Sequence, residues 1–304
     1  MTATQPNPRP SSEGGRVHDL RQSGPTVLRM LLGGRLRRLR EARGISREQA
    51  GYAIRASGSK ISRMELGRVG FKERDVADLL TLYGVGDEDE RDAMLALARE
   101  ANRPGWWQGF TDILPSWFEV YLGLEEAAAT LRIHETRFVP ELLQTEEYAR
   151  AAQTLSRPEA SAEEIERRVS VQMRRQQILD RPDAPQLWAV VDEAALRRRP
   201  AGPDVQRAQL AALTEAIGRR NVTVQIIPVR RGALAAVTGS FTLLRFAEPT
   251  LPDVVYVEQL TGALYVDKPA ELAIYKQRLD RLCVQALPPE ATADVLRGLL
   301  AELG

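Results

Sequence analysis

Residues 44–70 read GISREQAGYAIRASGSKISRMELGRVG, and this stretch predicts two short helices joined by a tight turn. Ser46 is a predicted helix N-cap, with Gln49 three positions later at the spacing of a capping box. Ser57 is predicted to cap the next helix. Gly67 ends that helix, because glycine adopts the left-handed conformation at low cost. Two short helices joined in this way are typical of a helix-turn-helix, which places its second helix in the major groove of DNA.

Helical periodicity extends to both sides of this stretch. A first helix is predicted by leucines at helical spacing, namely Leu28, Leu32, Leu36 and Leu39. Residues 75–83 predict a fourth helix, and residues 87–101 predict a connecting helix. Residues 1–25 are rich in Pro, Gly, Ser and Asn and predict a disordered arm. We therefore expect an all-α DNA-binding domain over residues 26–101, preceded by the arm 1–25.

The formal net charge of +1 conceals an opposition between two parts of the chain. Residues 26–84 hold thirteen Arg and Lys against six Asp and Glu, a net charge of +7, whereas residues 85–304 carry −7. A basic module joined to an acidic one is typical of a nucleic-acid binder with a separate regulatory part. Solvated basic helices are also common, so the charge supports the helix-turn-helix prediction without establishing it alone.

Beyond Pro104 and Gly105, which break the helical pattern, the periodicity changes. Strands are predicted by four β-rich runs bounded by Pro, Gly or Asn, at residues 187–191, 222–227, 241–246 and 254–258. Helices are predicted before, between and after them, at residues 141–154, 163–179, 205–217, 270–286 and 289–303. Residues 105–304 are therefore predicted to form an α+β regulatory and dimerisation domain, with one mixed sheet covered by helices.

Residues 44–70 resemble the helix-turn-helix of the Xre and phage-repressor family. The shared positions are Ser46, Ala50, Ile61, Glu65 and Gly67. The resemblance implies a set of DNA-contacting residues, namely Arg47, Ser57, Ser59, Lys60, Ser62, Arg63 and Arg68. It also implies a buried ion pair between Arg40 and Glu65 that joins the first helix to the third. The alternative for the DNA-contacting set is the solvated face of a helix.

The members of this set have different expected roles. Arg63 and Ser59 are expected to read base edges, since Arg is suited to bidentate contact with guanine. Arg47 is expected to bind phosphate together with the amides at the start of its helix. Two positions depart from the family pattern. Arg55 occupies the turn position usually held by Gly, which predicts strain, and Gly58 replaces a base-reading Gln.

The chain after residue 105 resembles the C-terminal domain of actinobacterial Xre-type regulators. The matching strings are WWQGFTDILPSWFEVYLGLEEAA, RFVPELLQTEEYARA, VQIIPVRRGA, GSFTLLRF and DVVYVEQLTGALYVDKPAE. Glu141 departs from a glycine in the family. Such regulators are often encoded beside a small acidic partner protein and are described as toxin–antitoxin-like. The resemblance therefore implies a small protein partner for this chain.

Residues 105–128 concentrate aromatic side chains. Trp106, Trp107 and Phe110 are candidates for a partner or ligand site, because clustered aromatics line binding pockets. Trp117 is expected in the core. The alternative is that the whole group packs in the core, where large aromatics are most often found.

No motif in the sequence indicates an enzyme, and we predict no catalytic residue, metal or cofactor. His18 lies in the arm, and His134, expected on a helix or loop, has no second histidine nearby. Cys283 is expected on the buried side of a helix, and a single cysteine fits a reducing compartment. Three carboxylates that could gather around a strand end are Glu258, Asp267 and Glu271. Such groups are common without catalysis.

The sequence predicts a cytoplasmic, nucleoid-associated regulator. No apolar run approaches the roughly 18 residues of a membrane helix, and the N-terminus lacks the apolar segment of a signal peptide. We predict a sequence-specific transcription regulator that binds double-stranded DNA as a homodimer, because one such module reads few bases. Its C-terminal domain would sense a small acidic partner protein or a small-molecule effector. The alternative is an antitoxin-like interaction protein that sequesters a small partner and autoregulates its own operon.

Overall fold

A computed structural model describes residues 24–303. The N-terminal helices are α1 (Pro25–Ala42), α2 (Arg47–Ala53), α3 (Gly58–Glu65), α4 (Glu73–Leu82) and α5 (Glu88–Ala101). The predicted arm, including His18, lies outside the described residues as far as residue 23. Pro25, which the arm prediction included, is instead the first residue of α1. Proline suits this position because its fixed φ is helical and its missing N–H needs no partner there.

The N-terminal helices enclose an apolar core. Leu32 and Leu36 of α1 are buried in it, as are Ile61 and Met64 of α3. Gly33 lies where α1 approaches α3 closely, since a Cβ at this position would stand 2.4 Å from the main-chain oxygen of Met64. The first helix therefore contacts the end of the third helix backbone to backbone.

The C-terminal part combines strands with helices. The strands are β1 (Thr130–Glu135), β2 (Gln186–Asp192), β3 (Val222–Ile227), β4 (Phe241–Arg245), β5 (Val254–Gln259) and β6 (Gly262–Val266). The helices are α6 (Ser116–Ala127), α7 (Glu146–Ser156), α8 (Ala162–Gln176), α9 (Glu193–Arg197), α10 (Pro203–Ala216), α11 (Ala233–Thr238), α12 (Pro269–Gln285) and α13 (Thr292–Ala301). Short 3-10 turns lie at Trp106–Phe110, Glu141–Leu143, Gln177–Asp180, Val229–Arg231 and Pro289–Ala291.

The strands form one mixed sheet in the order β3-β2-β1-β4-β5-β6. β1 and β3 each pair in parallel with β2, whereas the β1–β4, β4–β5 and β5–β6 pairs are antiparallel. The predicted fold class is therefore confirmed: an all-α helix-turn-helix region is followed by an α+β region with a mixed sheet.

Two of these strands were not predicted from the sequence. In β1, Leu131 and Ile133 are buried on one face of the sheet, and His134 is buried on the other. The expectation that His134 lies on a helix or loop is therefore wrong, because alternating polar residues in TLRIHE obscured a central strand. β6 is short and lies at the sheet edge, with Leu264 exposed, so its apolar pattern is weak.

Helices cover both faces of the sheet. Leu131 and Leu187 lie in the core on one face, together with residues of α6, α7, α10 and α13. Val190 and Leu243 lie in the core on the opposite face, which α11 and α12 cover. Strands buried on both faces explain the nearly continuous apolar runs of β2 and β3.

Helix α1 connects the two parts. Val27 and Met30 of α1 belong to the core of the α+β part. Thr26 packs against Gly123 of α6 so closely that a Cβ on Gly123 would lie 1.8 Å from the Thr26 hydroxyl oxygen. The core of the α+β part therefore extends beyond the predicted domain 105–304, because the first turns of α1 contribute to it.

Candidate nucleic-acid interface

The helix-turn-helix is built by local hydrogen bonds that the sequence predicts. The Ser46 hydroxyl accepts a hydrogen bond from the main-chain amide of Gln49. In return, the Gln49 side-chain oxygen accepts one from the main-chain amide of Ser46. In the turn between α2 and α3, the amide of Ala56 donates to the oxygen of Gly51 at 2.8 Å. The Ser57 hydroxyl then caps α3 by accepting from the Lys60 amide at 3.2 Å. Both helix starts are thus held by side chains rather than by distant contacts.

The turn itself carries backbone strain at Arg55. Its φ of +53° is the only positive φ among the non-glycine residues that the structure describes. This is the turn position that glycine usually occupies, so the strain expected from the sequence is present. The exposed Arg55 guanidinium has no hydrogen-bond or ion-pair partner within residues 24–303.

The outer face of α3 presents unpaired polar side chains. Ser59 and Arg63 are exposed and Ser62 is half-buried, while Ile61 and Met64 are turned into the core. No ion pair occupies the Arg63 guanidinium in the described part of the chain. A free guanidinium on an exposed helix face can donate two parallel hydrogen bonds to a guanine edge.

Behind this face, Glu65 binds two arginines. Arg40 donates to both Glu65 carboxylate oxygens, at 2.5 and 3.1 Å, and also to the Ile45 main-chain oxygen at 2.7 Å. The side chains of Arg40 and Glu65 are only 8% and 2% exposed. The hydrogen bond to Glu65 raises the pKa of Arg40. The structure thus brings together the residues of the expected ion pair, and they join α1 to α3.

Arg47 donates to the same carboxylate. Its Nε lies 3.1 Å from Glu65 Oε2, and its side chain is still 39% exposed. Arg47 stands at the first position of α2, the end at which main-chain amides lack partners within the helix. An arginine anchored at one side and open at the other is suited to holding a phosphate.

Two residues of the predicted DNA-contacting set have protein partners instead. Lys60 Nζ lies 2.7 Å from Oδ2 of Asp75, whose side chain is buried at 3% exposure. Arg68 donates to the Tyr265 main-chain oxygen at 2.9 Å and lies 3.4 Å from Asp267. We therefore expect both side chains to act within the protein rather than at DNA. Lys60 compensates a buried carboxylate of α4, and Arg68 joins the helix-turn-helix to β6.

Tyr52 was missed by sequence reasoning. It lies on α2 beside the turn, and its side chain is 88% exposed. The available signal was that Ala50 and Ile54 already supply the buried positions of this short helix, which leaves the aromatic ring outside. An exposed aromatic beside a recognition helix can pack against sugar or a base methyl group.

The aromatic segment is arranged differently from the prediction. Trp107 is buried with Leu114 and Val171, whereas Trp106 is half-buried beneath the Arg174 guanidinium, 4.7 Å from its ring centre. Phe110 is also half-buried, with the Arg167 guanidinium 5.8 Å from its ring centre. The expectation that the tryptophan pair lies nearer a site therefore fails for Trp107. Within this 3-10 turn, Trp107 faces inward and Trp106 lies nearer the surface.

Trp117, expected in the core, is only half-buried at its edge. Its main-chain oxygen accepts a hydrogen bond of 2.5 Å from the Tyr265 hydroxyl. It therefore lies near the connection between α6 and β6 rather than at the centre of the core.

The three carboxylates expected near a strand end, Glu258, Asp267 and Glu271, do not lie together in one site. Asp267 pairs with Arg68, and Glu271 pairs with Lys268 at 3.1 Å. Glu258 instead lines a cavity of about 460 Å³ in the C-terminal part. Burial and the negative charge of Glu141 raise the pKa of Glu258.

The floor of this cavity is a buried ion cluster. Arg175 donates to both oxygens of Glu125 at 2.8 Å each, and to Glu141 at 2.5 Å. The Tyr121 hydroxyl donates to Glu125 at 2.8 Å. Sequence reasoning missed this cluster, because its members lie on α6, α8 and a 3-10 turn and share no local motif.

Comparison with family models divides the chain in the same way as the fold. A helix-turn-helix domain model matches residues 31–94. A model for a domain of unknown function, DUF5753, matches residues 118–298, more than half of the chain. The chain belongs to the DUF5753 family. Neither the curated proteins nor the solved structures gave a match to this DUF5753 protein.

The helix-turn-helix domain of this DUF5753 protein indicates a DNA-binding regulator. Between residues 24 and 303, no helix has the length and apolar character needed to cross a membrane. Over the same residues, no group of three or more His, Cys, Asp or Glu side chains is arranged to hold a metal ion.

Proposed function

We propose that this DUF5753 protein is a sequence-specific transcription regulator of the Xre and phage-repressor type, like the actinobacterial regulators that its sequence resembles. The observation that carries the proposal is the exposed face of α3, where Ser59, Ser62 and Arg63 are available while the helix is capped and anchored behind. Base-reading side chains on a fixed helix give sequence specificity, because their positions relative to the groove are set before binding.

We propose that Arg47 and the amides at the start of α2 hold a phosphate that sets the register of α3 on the duplex. The Arg47 contact with Glu65 supports this role, because it limits the conformations of a long side chain before DNA arrives. The exposed Tyr52 and Arg55 beside the turn extend the same surface.

We propose that the regulator acts as a homodimer. One α3 presents few base-reading side chains, and a two-fold site read by two copies doubles their number. Sedimentation of the full chain with and without operator DNA tests this, and two chains per operator are expected.

We propose that the C-terminal part regulates DNA binding rather than catalysing a reaction. Support comes from the contacts that join the parts, namely α1 in the shared core and Arg68 on Tyr265. The hydrogen bond and the burial of His134 favour a structural role for this residue. Its Nδ1 lies 3.0 Å from the Val190 oxygen, and burial lowers its pKa. The resemblance also implies a small acidic partner protein. Its binding to the C-terminal part, as an alternative to a small-molecule effector, stays a prediction.

Selection from a random duplex pool with the full chain tests the DNA-binding proposal. We expect enrichment of a two-fold sequence, and an affinity for it that falls steeply as salt rises, because phosphate contacts release counterions. Retention of the pool without enrichment would contradict sequence-specific binding. No retention at low salt would contradict DNA binding itself.

A further inference from the structure

The cavity of about 460 Å³ in the C-terminal part has the size and walls of a small-molecule site. Small-molecule sites commonly measure about 300–1,000 Å³ and combine aromatic walls with a few placed polar groups. Here the aromatic walls are Phe118, Tyr121, Phe138, Phe241 and Tyr256. The cavity is separate from the exposed face of α3, so it contributes nothing directly to DNA contact.

Most charges that line the cavity are already compensated. Arg175, at its floor, is shared between Glu125 and Glu141. At the rim, Arg137 Nε lies 3.7 Å from Glu135. These groups satisfy one another and need no ligand.

Glu258 and Arg157 also line the cavity but lack an ion-pair partner in the part of the chain that the structure describes. Glu258 receives only a long hydrogen bond of 3.4 Å from the Tyr256 hydroxyl. Arg157 donates to the amide oxygen of Gln153 at 2.7 Å. Burial raises the pKa of Glu258 and lowers the pKa of Arg157, and the attraction between the two groups only partly offsets these shifts.

The two groups carry opposite charges and open on one cavity, so a ligand that serves both must carry both charges. A simple anion would add a second negative charge beside Glu258, and a simple cation would add a second positive charge beside Arg157. We propose that the cavity binds a small zwitterion with an apolar group, its ammonium at Glu258, its carboxylate at Arg157 and its apolar group among the aromatic rings. Amino acids and short peptides with an aromatic side chain have this chemistry.

The site has a contact path to the DNA-binding part. Tyr256, which lines the cavity, has its ring centre 5.4 Å from that of Tyr265. The Tyr265 main-chain oxygen accepts the hydrogen bond from Arg68, which follows α3. This step rests on the proposed regulatory function. A ligand that moves Tyr256 alters the support of α3 and so changes operator affinity, and by reciprocity the operator changes ligand affinity by the same factor.

Calorimetric titration of the full chain without DNA tests the site. The probes are L-phenylalanine and glycyl-L-phenylalanine, which separate the two charges by different lengths. Each is compared with its N-acetyl form, which lacks the cation, and its amide, which lacks the anion. We expect at least one zwitterion to bind roughly tenfold more tightly than both of its singly charged derivatives, the size of effect expected for a charge-assisted hydrogen bond.

Variants assign each charge to its partner. Glu258→Gln should abolish the preference over the N-acetyl form and keep the preference over the amide, whereas Arg157→Gln should do the reverse. Glu290→Gln, on an exposed residue outside the cavity, should change neither preference. Thermal unfolding of each variant verifies that it is folded.

Three results would overturn the site: no binding of either zwitterion at millimolar concentration, equal binding of the singly charged derivatives, or unchanged preferences in both variants. The comparison of derivatives uses the unmodified chain, so it does not depend on how the variants fold. Operator binding by the ligand-free chain is measured separately, so a failed ligand site is distinguishable from failed DNA binding. Ligand binding that leaves operator affinity unchanged would contradict the contact path to α3.

Discussion

The Arg68 guanidinium donates a hydrogen bond of 2.9 Å to the main-chain oxygen of Tyr265, and its carbon lies 5.6 Å from the centre of the Tyr265 ring. This contact joins the end of the recognition helix to the edge strand of the sheet. It also removes Arg68 from the set of free cations on the DNA-binding surface.

Arg68→Ala therefore separates an interdomain residue from a phosphate-binding one. A lost phosphate contact would reduce the slope of log affinity against log salt by about 0.9. We expect Arg68→Ala to leave this slope unchanged and to lower the free energy of unfolding by about 1.5 kcal/mol through the lost charge-assisted hydrogen bond. Arg47→Ala is the comparison, and we expect it to reduce the slope. Equal reductions in the two variants would restore Arg68 to the DNA-contacting set.

Glu65→Ala should strongly destabilise the chain. The substitution leaves Arg40 buried without its carboxylate, and stranding one member of a buried pair costs about 3–5 kcal/mol. The matched control is Glu73→Ala, because Glu73 pairs with Arg99 at 2.9 Å on an exposed surface. Such a pair contributes under about 1 kcal/mol. Chemical denaturation measures the free energy of unfolding of both variants. Similar losses would show that the pair of Arg40 and Glu65 contributes no more than an exposed ion pair.

Trp107→Ala should cost about 3–5 kcal/mol in unfolding free energy, as expected for truncating a buried aromatic side chain. Trp106→Ala is the matched control, because Trp106 is only half-buried at the edge of the same apolar cluster, next to Trp107 and under the Arg174 guanidinium. We expect it to cost clearly less. If Trp106→Ala proved the more damaging in denaturant titrations, the packing described for this segment would be wrong.

Glu258→Gln should stabilise the chain at neutral pH. The pKa of Glu258 is raised in the folded state, so the folded chain holds this proton more tightly than the unfolded chain does. The resulting stability is present below the ordinary Glu pKa and is lost as pH rises through the folded pKa. Thermal unfolding at about pH 4 and about pH 7 should therefore show an advantage for Gln at the higher pH that shrinks at the lower. The control Glu290→Gln should show no gain in stability that depends on pH. An equal gain for Glu258→Gln at both pH values would show that the raised pKa of Glu258 is not its cause.

The helix-turn-helix was predictable because its signals are local. Ser46 and Ser57 cap helices through bonds to amides three residues away, so short sequence windows contain the whole interaction. The departure from the family pattern in the turn was also predictable, because Arg55 occupies a position usually held by glycine and has the positive φ expected there. The resemblance placed Arg40 near Glu65, which periodicity alone does not do.

The contacts that were missed join residues far apart in the chain. Lys60 was expected on the outer face, but Asp75 on α4 reaches it, and helix periodicity does not report which neighbouring helix supplies a counterion. The cluster of Arg175 with Glu125 and Glu141 has the same character, because only the folded sheet and helices bring it together. β1 was missed because its polar positions alternate with buried ones in a run that also fits a loop.

Replacement of Arg63 tests the central claim most directly, because this free guanidinium lies on the exposed face of α3. The measurement is the affinity of the full chain for its selected site and for random duplex, before and after Arg63→Ala. Arg297→Ala is the control, since it removes the same charge from an exposed position on α13. We expect Arg63→Ala to lose about 1–3 kcal/mol on the selected site and much less on random DNA, and Arg297→Ala to change neither. Equal losses on both DNAs, or no loss on the selected site, would contradict recognition by α3.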